Sequence, residues 1–577
     1  MGYKAVISGA ALSIFAGTLY LVASWANWSS FIGNNGLALN DLGTSYPFRP
    51  TGSVRSYNFT LRRVNQTVDG LTRSAILVNG EFPGPLIEAN YGDTISVTVN
   101  NEIEGPPEGT AMHWHGMLQT GTPWYDGVSG VTQCPIGPGE SFTYDFLADQ
   151  FGTSWYHAHY SSQYGAGIFG PMVIHGPRHA AYDDDAGVIM LTDYYVRYYR
   201  DVLGEVLQPR PFPAAPPSDH NLINGRGDMR CELTAGPAPC PDASRLFKLR
   251  LARGRTHRLR LLNAGAEGMQ RFSIDGLPLR VIAADFVPVE PYETPVVTLA
   301  VGQRADVLVT VPESAAGNRW MRSYISDICS FSNHHPAYGV VYFDDADATP
   351  SSLGHELDDT DCGAEPIDRI RPVYPEPAAT EPDVTDVVAI GNHPNATGQW
   401  IWTMNGYVAE ADISKPAILD LARGQGASSF PVQWNLYDYG DNRTVRIVLE
   451  NPIDFPHPMH LHGHNFKILA EGLGKWDGYI VNPLNPARRD TQMVRSLGYL
   501  VIEIEADRPG LWPFHCHIGP HLSAGLSVTL MTKSGLFPQM QVPETLWQTC
   551  ESWRRLAADT PDQIDSGLSV DELRGLA

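Results

Sequence analysis

The segment Thr94-Ile95-Ser96-Val97-Thr98-Val99 alternates polar and apolar side chains, the period of a strand with one buried face. Thr444 to Leu449 repeats the pattern, and similar runs recur at Phe247–Leu251, His257–Leu261, Asp306–Val311 and Tyr499–Ile504. Turn residues punctuate nearly every run, with 55 Gly and 45 Pro in the chain. Long amphipathic helical patterns are scarce. Many short strands separated by dense turns predict an all-β protein built of sandwiches or barrels.

A length of 577 residues, at roughly 150 residues per domain, predicts three or four domains. The sequence His175-Gly176-Pro177 closes a first strand-rich block, residues 50–177, and a second runs over 178–350. The acidic, Pro-rich stretch 351–386 reads as a linker. A third block covers 387–550, followed by a polar tail, 551–577. Ahead of them, Lys4 is the only charge before Asp41, and an apolar run from Ala5 to Ala26 ends in small residues. Residues 1–26 therefore read as a secretory signal peptide, with an uncleaved anchor as the alternative. Glycosylation sequons starting at Asn27, Asn58, Asn65, Asn395 and Asn442 fit a secreted chain, with cell-wall retention open. A net charge of −23 repels phosphate backbones and anionic membranes, so neither nucleic acid nor a stable membrane association is expected. A monomer is expected.

Seven cysteines leave one over after three disulfides, which suits an oxidising compartment. Six allow 15 pairings, and sequence alone does not choose among them. Cys231 and Cys240 flank a Gly/Pro-rich turn, so a local bridge is expected there.

Four His-x-His pairs carry the chemistry: His113/His115, His157/His159, His460/His462 and His515/His517. Residues two apart on a strand share a face, so each pair offers two imidazoles to one side. One pair is ordinarily a solvated or packed pair. Four together suit a cluster of borderline metal ions such as copper. In an extended His515-Cys516-His517, the histidines face one way and Cys516 the other. Cys516 with His457 and His521 would then form a His2Cys set of the blue-copper kind. Zinc is the rival ion, but the Cys-x-x-Cys spacing of structural zinc sites is missing.

The segments His113-Trp114-His115-Gly116, Trp155-Tyr156-His157-Ala158-His159, His457-Pro458-Met459-His460-Leu461-His462-Gly463-His464 and His515-Cys516-His517-Ile518-Gly519-Pro520-His521 resemble the four copper signatures of multicopper oxidases, in the family's order. Leu222-Ile223-Asn224-Gly225, Val301-Gly302-Gln303-Arg304 and Arg488-Arg489-Asp490-Thr491 add a similarity to ascomycete laccases. The resemblance covers about residues 50 to 568. It implies three cupredoxin-like Greek-key β-sandwich domains and four copper ions. His457, Cys516 and His521 match the type 1 ligands, and His113 and His460 the type 2 ligands. His115, His157 and His517 match one type 3 copper, and His159, His462 and His515 the other. It further implies Cys134–Cys550 and Cys329–Cys362 disulfides.

The same resemblance puts Leu526 at the weak axial position of the type 1 site, where a residue without a lone pair favours Cu(I). Glu267, which composition alone reads as a solvated loop residue, matches the carboxylate that takes a phenol's proton. Asp126, otherwise a turn residue before Gly127, matches an acid near the trinuclear cluster. Gly519 and Pro520 depart from the relatives' acid and Trp. The terminal Asp565-Ser566-Gly567-Leu568 resembles a processing site, with the new chain end plugging a channel to the cluster. Other histidines, including His334 and His335, read as surface groups, and His464 as a supporting one. The activity implied is one-electron oxidation of small phenols coupled to reduction of O2 to water. An oxidase for iron, ascorbate or bilirubin is the alternative. A copper-storing protein without turnover is a third reading, set back by eleven filled ligand positions.

Overall fold

The alternation at Thr94 becomes the strand Thr94–Asn101, with Ile95, Val97 and Val99 fully buried and the intervening polar residues half-buried. Each such side chain contributes about 1.5–3 kcal/mol by burial. The strand pairs parallel to Val54–Val68 and antiparallel to Ser141–Leu147, and Leu71–Val78 completes a four-stranded sheet. A second four-stranded sheet runs in the order Ile87–Asn90, Phe169–His175, Gly152–Ala158, Met112–Trp114. Neighbours in space that are distant in sequence are the mark of crossed-over, Greek-key connections.

The computed structural model describes residues 51–68, 70–209, 216–227, 246–344, 350, 362–395 and 398–559. Within residues 180–344 a six-stranded and a five-stranded sheet pack together, and a six- and five-stranded pair recurs within 384–532. The protein is all-β with cupredoxin-like domains. The other predicted strands form as Phe247–Arg250, Thr256–Asn263, Arg304–Thr310, Thr444–Asn451 and Gly498–Glu505, each within two residues of the expected ends.

Two boundaries differ from the sequence reading. Over 362–383 the expected linker carries no strand or helix, yet it is not loose. Ile367 and Ile370 are buried, and the Glu365 carboxylate accepts the Thr298 N–H at 3.0 Å. At the other end, the helix Glu544–Asp559 runs through the boundary drawn at residue 550, with Cys550 and Trp553 fully buried. An amphipathic 16-residue helix was not apparent in a segment that reads as polar. The Cys134–Cys550 and Cys329–Cys362 disulfides are formed. Cys231, Cys240, the signal segment and the Asp565–Leu568 motif lie outside the described residues. No helix among the described residues is long and apolar enough to cross a membrane.

Candidate functional site

Strand pairing gathers the histidines. His113 on Met112–Trp114 lies opposite His157 on Gly152–Ala158, and His460 on His457–Leu461 lies opposite His515 on Gly510–Cys516. The two strand pairs face each other, with ring centroids 3.9 Å apart for His113 and His462, 3.9 Å for His115 and His460, and 5.3 Å for His159 and His515. All eight imidazoles from the His-x-His pairs thus share one buried cluster. Ligand atoms of His159, His462 and His515 converge within 4.8 Å. Convergence elsewhere cuts across the implied sets: His113 groups with His115 and His157, and also with His460 and His462.

Hydrogen bonds select the tautomers. The Nδ1–H groups of His113, His157, His460 and His515 donate to the carbonyls of Asp126, Ala158, Asp490 and Cys516 at 2.7, 3.0, 2.8 and 2.8 Å. His462 Nδ1–H donates to Asp126 Oδ2 at 2.8 Å. Each of these rings then points an Nε2 lone pair inward. The Nε2 atoms of His113, His157, His159 and His460 are buried without a hydrogen-bond partner, a cost of about 1–3 kcal/mol apiece. His462 Nε2 and His515 Nε2 face each other at 2.9 Å. Opposed lone pairs at that distance repel, and a metal cation accepting both removes the conflict. Burial, reinforced by neighbouring imidazoles, also pushes His115, His157, His159, His460, His462 and His517 well below the ordinary imidazole range. Burial brings His515 down to about 4. Neutral imidazoles are what a metal requires. The donor set therefore fits bound copper.

His115 is the exception in tautomer. Its Nε2–H donates to Asp490 Oδ1 at 3.1 Å, leaving Nδ1 to face His517 Nε2 at 3.3 Å. Asp490 is held by both Arg304 terminal nitrogens at 2.6 Å, and Asp285 pairs with Arg489 beside it. These charged residues are all essentially inaccessible. Asp490 and Arg304 stand in segments similar to those of ascomycete laccases, but nothing in the sequence marks a pairing between them. A charged run between buried strands was the available signal. Gly302 (φ +85°) closes this side, since a Cβ there would lie 3.0 Å from His517 Cδ2. Asp126 is fully buried rather than a surface turn residue. Its Oδ1 lies 3.3 Å from His113 Nδ1 and takes no hydrogen bond. Gly127 (φ +82°) is obligatory beside it, because a Cβ would collide with the Met112 carbonyl at 1.7 Å.

On the other face of the His515–His517 segment, Cys516 Sγ lies 3.6 Å from His457 Nδ1 and 3.8 Å from His521 Nδ1. Among the described residues Cys516 is the free cysteine, and burial pushes its thiol well up. The thiolate is then formed only with a cation at hand. Burial lowers His521 to about 3. Leu526 is fully buried in the same apolar cluster as Cys516 and Trp402, and its carbonyl accepts the Cys516 N–H at 3.1 Å. Trp402, unmarked in the sequence, walls the set, 4.7 Å from His457 and 4.3 Å from His521.

Glu267 is not the solvated residue its loop composition suggests, being 5% exposed. Its Oε2 accepts the Phe331 N–H at 3.2 Å, while Oε1 is buried without a partner. Burial, then the neighbouring Asp193 carboxylate, raise Glu267 well above the ordinary range. Phe331 is 47% exposed and stacks on Phe455, which packs against both His457 and His521. His334 is buried, contrary to its expected surface position, with its ring on that of His220, and His335 is half-buried against Tyr324. A polar loop folded back onto the sheet encloses them. His464 is buried, and its Nδ1–H donates to the His462 carbonyl at 3.0 Å.

Comparison with known proteins covers most of the chain. Three family models, each described as multicopper oxidase, match residues 60–179, 185–342 and 396–535. Oxidoreductase OpS5 of Beauveria bassiana is 37% identical over 542 residues, covering 90% of this chain and 88% of its own. Laccase-2 of Botryotinia fuckeliana is 35% identical over 535 residues, covering 90% and 89%. The crystal structure of the laccase from Botrytis aclada superposes with a TM-score of 0.82 at 35% identity, covering 91% of this chain and 97% of that one.

Proposed function

The chain belongs to the multicopper oxidase family and is an oxidoreductase of the laccase class, and from that premise we propose how its residues divide the work. His457, Cys516 and His521 would hold a type 1 copper, with the buried Leu526 side chain beside them offering it no lone pair. His113 and His460 hold the type 2 ion. His115, His157 and His517 would hold one type 3 ion, as the resemblance implies, and His159, His462 and His515, whose ligand atoms converge, the other, making four coppers in all. Copper bound there supplies the one-electron acceptor on one face and the O2-reducing centre on the other.

The observation that carries this reading is the shared segment. Cys516 lies with His457 and His521, while its chain neighbours His515 and His517 belong to the eight-histidine cluster. An electron entering beside the thiolate reaches the cluster through a few covalent bonds. Substrate need never approach the eight clustered histidines. Four phenols each give up one electron and one proton, and O2 takes up four of each to form two waters. Glu267 Oε1 accepts the phenolic proton, and Asp126, between His113 and His462, delivers protons on the O2 side. The apolar Phe331 and Phe455 rings beside the electron-entry site favour an aromatic substrate over ferrous iron, which prefers oxygen donors.

Export fits the two disulfides and the apolar N-terminal run. Copper analysis, the intensity of the blue band, and oxygen uptake with 2,6-dimethoxyphenol against ferrous iron test the assignment together. Four coppers per chain and preferred uptake with the phenol are expected. Preferred uptake with iron, or copper binding without turnover, would overturn it.

A further inference from the structure

Asp193 is the penultimate residue of its strand, Asp184–Tyr194, 4% exposed and with no part in the assignment above. Its carboxylate accepts three consecutive backbone N–H groups: Ala266 to Oδ1 at 2.6 Å, and Glu267 and Gly268 to Oδ2 at 2.7 and 2.6 Å. Three charge-assisted bonds to one anion fix the backbone of a whole turn. Gly265 and Gly268 admit this approach, since a Cβ on either would lie 3.2 Å from Asp193. The same turn is tied forward as well. The Ala266 carbonyl accepts the Gly519 N–H at 3.0 Å, and Gly519 opens the short helix Gly519–Ser523 that carries His521.

We infer that Asp193 is a positioning residue for phenol oxidation: it locks the turn bearing Glu267 in register with the helix bearing His521, so that proton acceptor and electron entry meet one substrate molecule. This rests on the proton-acceptor reading of Glu267. A phenol must meet Glu267 and His521, the more exposed of the two imidazoles beside Cys516 at 5% against 0% for His457, together, and misplacement of one group by an ångström is costly. A donor that loses an electron and no proton needs only the second contact. Asn at 193 keeps one acceptor oxygen and replaces the other by an N–H donor, which opposes the turn's own N–H groups.

The test compares the copper-loaded wild type with Asp193→Asn, Glu267→Gln and the double variant, on 2,6-dimethoxyphenol and on ferrocyanide. Asp193→Asn is expected to lower kcat/KM for the phenol by about tenfold or more, a loss of the size that misorientation brings. Ferrocyanide oxidation and the blue band should stay near wild type. In the Glu267→Gln background the added Asp193→Asn change should cost the phenol nothing further. Equal losses on both donors, or a full loss persisting in the double variant, would overturn the inference and leave Asp193 a structural residue. Should Asp193→Asn not fold, Gly268→Ala, whose methyl crowds Asp193 Oδ2, carries the same expectations. If Glu267→Gln alone spares the phenol, the proton-acceptor reading fails first and takes this one with it.

Discussion

The Asp490 carboxylate accepts the His115 Nε2–H at 3.1 Å, and by doing so gives His115 the opposite tautomer from the histidines whose Nδ1–H is bonded to a carbonyl. Arg304 holds that carboxylate from the neighbouring six-stranded sheet, so a sheet bearing none of the His-x-His pairs governs a ring in the cluster.

Asp490→Asn should therefore unseat His115 and leave the buried Arg304 guanidinium with only the more distant Asp285 carboxylate, at 3.6 Å. Breaking a buried ion pair costs roughly 3–5 kcal/mol. A lower Tm and fewer than four coppers per chain are expected. Metal analysis and the type 3 absorption check this. Full copper loading with an unaltered spectrum would mean that Asp490 does not orient His115.

Cys516→Ser should abolish the thiolate-to-copper absorption and phenol oxidation, because among the described residues no other free cysteine is available to supply a thiolate. The fold should persist, since Ser is smaller and the sheets around it are intact. Circular dichroism and the visible spectrum of the purified variant decide the matter, and a variant that is still blue would refute the assignment.

Leu526→Met should lower the type 1 potential. Leu526 offers the metal no lone pair, whereas a thioether donates weakly to Cu(II) and stabilises it. The volumes are similar, so packing should change little. Redox titration of the blue band measures the shift, and an unchanged or raised potential would remove Leu526 from the axial position.

Glu267 sets a pH dependence. Burial and Asp193 hold its pKa well above the ordinary carboxylate range. The acceptor form is the deprotonated one, so kcat/KM for phenol should rise with pH through that raised value and level off above it. Glu267→Ala should remove this acid limb and slow phenol oxidation by roughly 10²-fold, the usual scale of general-base assistance. Ferrocyanide oxidation should suffer much less. An acid limb that survives the substitution would assign it to another group.

The sequence by itself determined the class of fold and named the candidate ligands. Two-residue alternation is a local property of a strand, so Thr94–Asn101 and Thr444–Asn451 were legible from side-chain order alone. The same periodicity put His515 and His517 on one face and Cys516 on the other. What needed the tertiary structure was every property set by distant neighbours. Glu267 and His334 lie in polar loops, and only the packing of other segments over them makes them buried. Residue 550 reads as the end of a domain, yet it lies fully buried inside the helix Glu544–Asp559. Tautomers were likewise beyond sequence: His115 and His460 differ because Asp490 meets one ring with its side chain and the other with its carbonyl. Asp193 and Arg304 act on residues 74 and 186 positions away. Hydrogen bonding and desolvation depend on what surrounds a group in space, and local sequence order does not encode that environment.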